Sequence, residues 1–249
     1  MRYVKNTLLI IFVLFIQSFV YATDQDKSSF VSITDMIPDV VLDIRYFTEY
    51  NFVGEKIDGY KAPKCLLSKK AANALKKVQD ELRKKGLSLL IYDCYRPQQA
   101  VDHFVRWAED LDNDKMQEQF YPGLKKKSLF VLGYIAKKSG HSRGSSIDLS
   151  ITKIPFKAKK NSRTDYRECD CNQDKRHIDG SLDMGTGYDC FNTLSHTLNS
   201  KIETEQMNNR LLLKKVMEKH GFRNYSKEWW HFSLKNEPYR KRYFNFQVE

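Results

Sequence analysis

The spacing of apolar and polar residues predicts helices and strands that interleave along most of the chain. In residues 69–85, Leu75, Val78 and Leu82 recur at a helical spacing, and Gly86 ends the helix. Residues 146–151 instead alternate polar and apolar side chains, which is typical of a strand. The same reasoning predicts strands at residues 40–46, 87–92 and 229–234, and helices at residues 97–110 and 208–220. Because these elements follow no regular βαβ rhythm, the fold class expected is α+β.

One long stretch, residues 152–182, is polar, charged and without a clear period. Structureless loops of this length are uncommon unless they serve a function or are flexible. Two interpretations are open: a rim or lid over a functional site, and a surface excursion held by disulfides, which is the one favoured. No internal repeat or long linker divides the chain.

The first 22 residues have the pattern of a signal peptide. Arg2 and Lys5 give a positive start, residues 8–16 are wholly apolar, and Ala22 offers a cleavage point. A retained membrane anchor is the alternative, but the apolar run falls short of the roughly 20 residues that span a bilayer. We therefore expect a signal peptide at 1–22 and one domain at 23–249, exported to the periplasm or secreted, with no stable membrane span after cleavage.

The formal net charge of +11 at pH 7 arises from scattered lysine runs. One interpretation is attraction to an anionic wall polymer or membrane surface. The favoured one is a solvated basic surface. Nucleic acid is not expected as a partner of an exported protein.

Five cysteines, an odd number, leave at least one thiol without an intramolecular partner. An exported protein can hold disulfides, and Cys169 and Cys171 are too close to pair comfortably with each other. A second zinc site from Cys169, Cys171, His177 and Cys190 matches no standard spacing and is disfavoured. The pairing among Cys65, Cys94, Cys169, Cys171 and Cys190 is left open.

Two short segments carry candidate metal chemistry. His141 lies in a small, polar, glycine-bearing loop, and Asp148 follows on the predicted strand. Far along the chain, Glu228-Trp229-Trp230-His231 adds a second imidazole and a carboxylate. A catalytic zinc needs three protein ligands, an open position and a nearby base. We therefore expect His141, Asp148 and His231 as ligands and Glu228 as the base; the alternative is a surface histidine and a core histidine.

The pair Glu228 and His231 raises a geometric difficulty. On a regular strand, residues three apart point to opposite faces. Glu228 must therefore precede the strand, or a bulge must intervene.

These segments resemble the zinc D-alanyl-D-alanine dipeptidases of the VanX type. This group is related to the zinc D-alanyl-D-alanine carboxypeptidases and to the hedgehog signalling domain. Several motifs occur in the family's order: Ser139-Gly140-His141, Asp148 and Glu228-Trp229-Trp230-His231, together with Asp43-Ile44-Arg45-Tyr46, Asn51-Phe52-Val53-Gly54, Tyr92-Asp93-Cys94-Tyr95-Arg96-Pro97 and Asp183-Met184-Gly185-Thr186-Gly187-Tyr188-Asp189. The resemblance implies a small, mostly antiparallel sheet with packed helices, one Zn²⁺ per chain and hydrolysis of the D-Ala-D-Ala dipeptide.

The resemblance also implies roles for residues outside the metal segments. Arg96 would stabilise the oxyanion, with Asp93 supporting it. Asp189 would bind the substrate ammonium, while Tyr46 and Ser139 would hold the other end. Simpler roles are open for three of them: a carboxylate ion pair for Arg96, core packing for Tyr46 and a loop hydrogen bond for Ser139.

Two other functions compete with the dipeptidase. A D,D- or L,D-carboxypeptidase on longer wall peptides would use the same zinc chemistry but would lack a carboxylate for the substrate amine. A non-catalytic zinc binding module would need no base such as Glu228. Export also bears on the role, because glycopeptide resistance requires cytoplasmic D-Ala-D-Ala to be destroyed. We expect turnover of wall-derived dipeptide instead.

Overall fold

The computed structural model describes residues 27–157 and 165–249, so the expected signal peptide lies outside the described residues. Six α-helices and seven strands occur in these two ranges. The helices are α1 Ile33–Met36, α2 Lys69–Arg83, α3 Gln98–Glu109, α4 Gln117–Phe120, α5 Lys126–Leu132 and α6 Thr204–Lys219; the strands are β1 Phe30–Ser32, β2 Val41–Leu42, β3 Leu66–Ser68, β4 Leu87–Asp93, β5 Ser146–Lys153, β6 Phe222–Tyr225 and β7 Glu228–Leu234.

The main sheet has five strands in the order β2-β4-β5-β7-β6. Only the β2–β4 pair is parallel; the other three pairs are antiparallel. Strands β1 and β3 form a separate antiparallel pair. The α+β fold with a small, mostly antiparallel sheet is thus confirmed.

Helices α2 and α6 cover the sheet. Helix α2 packs on β4, α6 packs on β6 and β7, and the two helices contact each other. The predicted apolar stripe of α2, including Leu75, Val78 and Leu82, is fully buried. Strand β5 is buried along almost its whole length, so Ile147 and Leu149 face the core on one side while Asp148 points to the other.

Most element predictions are confirmed, and two need correction. The predicted strand at residues 40–46 is only Val41–Leu42, because the chain then turns into a 3₁₀ helix, Arg45–Phe47, that buries Arg45 and Tyr46. The last helix begins four residues before the predicted start at 208. A reciprocal capping box between Glu203 and Gln206 fixes this earlier start.

Four of the five cysteines form two disulfides, Cys65–Cys94 and Cys169–Cys190, and Cys171 is free. A second zinc site that uses Cys169 and Cys190 is therefore wrong, because both thiols are consumed. The Cys169–Cys190 bond pins the long polar stretch to the domain, as the favoured interpretation required. Across residues 27–157 and 165–249, every helix lacks the length and apolar character needed to cross a bilayer.

Candidate active site

A row of three polar residues crosses the centre of the sheet at one level. In the strand register, Asp93 of β4 is the neighbour of Asp148 on β5, and Asp148 is the neighbour of His231 on β7. Directly opposed residues of antiparallel strands point to the same face. The 3₁₀ turn His141–Arg143, just before β5, brings His141 over this row.

Three ligand atoms converge there. His141 Nε2 lies 3.1 Å from His231 Nδ1 and 3.3 Å from Asp148 Oδ1, and His231 Nδ1 lies 3.0 Å from the same oxygen. Ligands at the ~2.0–2.1 Å bond lengths of tetrahedral zinc are about 3.3 Å apart. The two nitrogens and one oxygen therefore fit a zinc ion on three sides.

Each of the two histidines has a further hydrogen-bond partner. His141 Nδ1 lies 2.6 Å from the carbonyl oxygen of Cys94, and His231 Nε2 lies 3.4 Å from Ser233 Oγ. Burial by itself raises the pKa of Asp148, but the two imidazoles outweigh it and hold that pKa well below its usual range. The carboxylate is thus ionised and available as a ligand.

Glu228 lies beside the ligands because strand β7 is irregular. Its pairing with β6 jumps from Asn224–Phe232 to Tyr225–Glu228, so three residues of β7 have no counterpart. The amide of Asn224 donates to the carbonyl oxygens of Glu228 and His231, at 3.1 and 3.0 Å, and closes this bulge. Glu228 Oε2 consequently lies 3.9 Å from His231 Nδ1, which resolves the difficulty of their spacing.

The protonation of Glu228 responds to its surroundings. Burial, together with the negative charge of Asp148, raises the pKa of Glu228 to about 8. A divalent cation between the ligands would lower this pKa, because positive charge favours the carboxylate. A carboxylate whose pKa can be set near neutrality is suited to take up and release a proton.

Arg96 lies at the junction of β4 and α3, held by two carboxylates. Its Nε donates to Asp93 Oδ2 at 2.9 Å, and its Nη2 donates to Asp148 Oδ2 at 3.3 Å. Asp93 also accepts a 2.5 Å hydrogen bond from the Tyr60 hydroxyl. The expected ion pair with Asp93 is therefore present, and it fixes Arg96 as a cation within the same cleft as the ligands.

Asp189 lines the same cleft as the ligands. It is buried, and Tyr46 donates to its Oδ2 at 2.8 Å. The Tyr188 hydroxyl lies 3.1 Å from the Tyr46 hydroxyl and 3.0 Å from Asp148 Oδ2. Its single hydrogen is shared between these two acceptor oxygens. Burial and the charge of Asp148 raise the pKa of Asp189 well above its usual value, which the bond from Tyr46 opposes. A bound cation would favour the ionised carboxylate of Asp189 and so lower this pKa.

A cleft of about 340 Å³ joins all of these groups. It is polar at the metal ligands and apolar at the walls, where Phe52, Phe104 and Phe191 lie. Ser139 lines the cleft and also accepts a 3.2 Å hydrogen bond from the backbone N–H of His141, so the expected loop contact is present. The expected site residues thus share this cleft, except that Asp93 lies behind Arg96.

Three contributors to the site were not expected from the sequence. Tyr188 and Tyr60 belong to hydrogen-bond networks behind Asp148 and Asp93, and Asn224 closes the bulge of β7. Tyr188 lies within a segment that carries the family resemblance, so a signal for it existed. Asn224 had none, because its role depends on strand pairing.

Comparisons with known proteins identify the family to which the chain belongs. A family model described as D-ala-D-ala dipeptidase, Peptidase_M15, matches residues 26–155 and 173–249. The chain is 35% identical to a D-alanyl-D-alanine dipeptidase of Enterococcus faecalis over 89% of this chain and 99% of the relative. It is 33% identical to a D-alanyl-D-alanine dipeptidase of Enterococcus faecium over 88% of this chain and 98% of the relative. The chain is also similar to a crystal structure of the vancomycin resistance D,D-pentapeptidase VanY in complex with Zn(II). The match covers 71% of this chain and 77% of the VanY chain, with 13% sequence identity and a TM-score of 0.38.

Proposed function

The chain belongs to the D-Ala-D-Ala dipeptidase family of metallopeptidases, and from this premise we propose a zinc-dependent enzyme that hydrolyses D-alanyl-D-alanine. One observation carries the proposal: a single cleft of about 340 Å³ holds both the His141–Asp148–His231 cluster and the buried carboxylate of Asp189. The volume suits a small peptide, and the cleft offers a metal cluster for the peptide bond and a carboxylate for the free amine.

His141, Asp148 and His231 would hold the zinc ion. Bound there, zinc would act as a Lewis acid and lower the pKa of a coordinated water toward about 7. With one carboxylate among its three ligands, the centre would keep a net positive charge.

Glu228 and Arg96 supply the remaining chemistry. The Glu228 carboxylate takes the proton of the attacking water and passes it to the leaving amine. The Arg96 guanidinium, fixed by Asp93, faces the negative charge that develops on the substrate carbonyl oxygen. Fixed charges of this kind need no reorganisation during the reaction, and the loss of one stabiliser typically costs about 10²–10³ in turnover.

Asp189 gives the reason to favour a free dipeptide over a longer wall peptide. A buried carboxylate pairs well with the ammonium of a dipeptide, whereas an acylated amine carries no charge to offset its burial. Tyr46 was expected at the other end of the substrate, but its hydroxyl donates to Asp189, so we place Tyr46 at the ammonium end as the residue that orients Asp189. Ser139 lines the same cleft and is kept for the other end.

Export and a role in cell-wall turnover belong to the same proposal. The support is the signal pattern of residues 1–22 and the two disulfides, which persist in oxidising compartments. An enzyme outside the cytoplasm meets dipeptide released from the wall. Fractionation of expressing cells tests this, and an uncleaved cytoplasmic protein would contradict it.

The test of the chemistry uses the purified full chain with measured zinc content. We expect cleavage of D-Ala-D-Ala, much slower cleavage of N-acetyl-D-Ala-D-Ala, and a Glu228→Gln variant that keeps zinc while its kcat falls by about 10²–10⁴. Glu55→Gln, at an exposed glutamate, is the matched control. Equal rates on the two substrates would indicate a carboxypeptidase, and full activity of Glu228→Gln would refute the mechanism.

A further inference from the structure

We propose that the Cys169–Cys190 disulfide positions Asp189 and thereby determines how well the enzyme recognises a free ammonium group. The proposal rests on the function proposed above, in which Asp189 binds that group. Neither cysteine touches the reacting atoms, so both are positioning residues. The segment that carries Cys169, residues 165–172, is named the brace.

The brace is attached to the chain on both sides of Asp189. Before it, the N–H of Gly187 donates to the carbonyl oxygen of Glu168 at 2.7 Å. After it, Cys190 is bonded to Cys169. Glu168 and Cys169 are consecutive in the brace. They therefore hold Gly187, two residues before Asp189, and Cys190, one residue after it.

The brace is itself anchored to the domain. The N–H of Glu168 donates to the carbonyl oxygen of Gln119 at 2.8 Å. Outside the brace, Phe191 follows Cys190 and donates its N–H to the carbonyl oxygen of the next residue, Phe120, at 2.7 Å. The Glu168 side chain accepts a 2.5 Å hydrogen bond from the Tyr50 hydroxyl. Asp189 is thus tied through the brace to a fixed part of the fold.

Asp189 has a backbone conformation that needs such support. Its φ is +59°, and it is the one non-glycine residue with positive φ among the described parts of the chain. L-residues are uncommon there, and the conformation persists where the surroundings impose it. The same residue is buried and must direct its carboxylate at Tyr46 and the cleft. The attachments at Gly187 and Cys190 impose both requirements at once.

The brace lies outside the part of the chain that follows the family pattern. The family model matches residues 26–155 and 173–249, so Glu168 and Cys169 fall in the gap between the matched ranges. Asp189 and Cys190 fall inside a matched range. This chain therefore adds a support to a site residue of the family's own segment.

A disulfide can also act by global stabilisation alone, and a double-mutant cycle separates the two effects. The paired variant Cys169→Ala/Cys190→Ala is made in the wild-type and in the Asp189→Asn backgrounds. The quantity measured is selectivity, the ratio of kcat/KM for D-Ala-D-Ala to that for N-acetyl-D-Ala-D-Ala, below the melting temperature of every variant. Zinc content is measured alongside, and Cys171→Ala is the matched control for the loss of a cysteine.

If the disulfide acts through Asp189, its removal lowers selectivity by about 10-fold or more, since misplacing a positioning group by about 1 Å can cost on the order of 10²-fold. The loss appears mainly in KM for the free dipeptide, and zinc content is unchanged. In the Asp189→Asn background the same removal has no further effect on selectivity. The proposal would be overturned if removal of the disulfide lowered selectivity equally in the wild-type and Asp189→Asn backgrounds, or lowered it in neither.

Gly187→Ala tests the other attachment and keeps both disulfides. A Cβ atom at this position would lie 1.5 Å from Glu168 Oε2 and 3.1 Å from Glu168 Cβ, so the Glu168 side chain must swing away and its Cβ must also shift. Selectivity is expected to fall in the same direction as in the paired cysteine variant. Unchanged selectivity in this variant, with the Glu168 contact displaced, would count against the brace.

The two proposals fail in different ways. If wild-type enzyme and Asp189→Asn show the same selectivity, the assignment of the ammonium to Asp189 is wrong. If Asp189→Asn abolishes a clear wild-type preference and the cysteine variants retain that preference, the proposed function stands and the brace is refuted.

Discussion

The imidazole of His141 is oriented by the backbone of Cys94, whose carbonyl oxygen lies 2.6 Å from His141 Nδ1. A carbonyl oxygen only accepts hydrogen bonds, so Nδ1 carries the hydrogen and Nε2 presents its lone pair toward Asp148 and His231. Cys94 is held in turn by its disulfide to Cys65. One disulfide thus supports the candidate metal ligand His141, while the other lies beside Asp189.

Removal of the first disulfide is therefore expected to weaken metal binding. In Cys65→Ala/Cys94→Ala the carbonyl group that orients His141 is free to shift, and partners of this kind typically contribute 10–100-fold to metal affinity. Competition with a chelator gives the zinc dissociation constant. Cys171→Ala is the control, and an unchanged zinc affinity in the paired variant would show that Cys94 does not orient the ligand.

Arg96→Lys is expected to be a severe change despite the retained charge. A lysine cannot bridge Asp93 and Asp148 as the guanidinium does, with Nε and Nη2 on different carboxylates. We expect kcat to fall by about 10²-fold with zinc content unchanged. Arg83→Lys, at an exposed ion pair with Asp39, is the control and should leave kcat at the wild-type value.

Tyr46→Phe separates a packing role from a polar role. The ring is retained, so its contacts with Phe52 and Phe104 survive, while the hydrogen bond to Asp189 is lost. We expect KM for the dipeptide to rise by about 10-fold, corresponding to about 1.4 kcal/mol.

Tyr121→Phe is its control, because the Tyr121 hydroxyl is buried without a hydrogen-bond partner among the described residues. Equal kinetics of the two variants would reduce Tyr46 to a packing residue.

Asn224→Ala tests the bulge that brings Glu228 to the metal side. Its amide satisfies two backbone carbonyls of β7, and an unsatisfied buried polar group costs about 1–3 kcal/mol. We expect a lower melting temperature, weaker zinc binding and lower kcat together, because Glu228 and His231 share the bulge. Asn199→Ala removes hydrogen bonds to Thr193 and Lys201 instead, and should leave zinc binding and kcat unchanged.

The buried carboxyl group of Glu168 makes the free energy of unfolding depend on pH. Burial raises its pKa from about 4.5 to about 7 in the folded protein. Between these values the folded state binds the proton and the unfolded state does not, so stability falls as pH rises through this window and the cost is complete above pH 7. Relative to wild type, Glu168→Gln should therefore gain stability from pH 4.5 to pH 8, by up to about 3 kcal/mol.

Denaturant unfolding at several pH values measures this difference. Burial also lowers the pKa of His177 to about 4, so His177 adds a slope of opposite sign below pH 6.5, where stability is lost as pH falls. That slope occurs in both proteins and cancels in their difference. A stability difference that does not vary between pH 4.5 and pH 8 would refute the assignment to Glu168.

The sequence by itself determined the local elements with strong periods and indicated the candidate metal ligands and base. The stripe of α2 follows from side-chain spacing and is buried as expected. The alternation of residues 146–151 correctly predicts strand β5, although both faces of that strand are buried. The ligand types could be inferred because zinc chemistry restricts the choice to a few side chains. Tertiary pairing was needed where the pattern was weak, as in residues 40–46, of which only Val41–Leu42 pair as a strand.

Only the tertiary structure decided how distant segments meet. The register of β4, β5 and β7 places Asp93, Asp148 and His231 in one row, and the bulge closed by Asn224 brings Glu228 beside His231. The disulfide pairing could not be predicted from the sequence either, because it depends on which cysteine Cα atoms approach to about 5 Å after folding. Local sequence sets the preferences of neighbouring residues. Contacts such as that between Tyr46 and Asp189 join residues 143 positions apart, and the packing of the whole domain selects them.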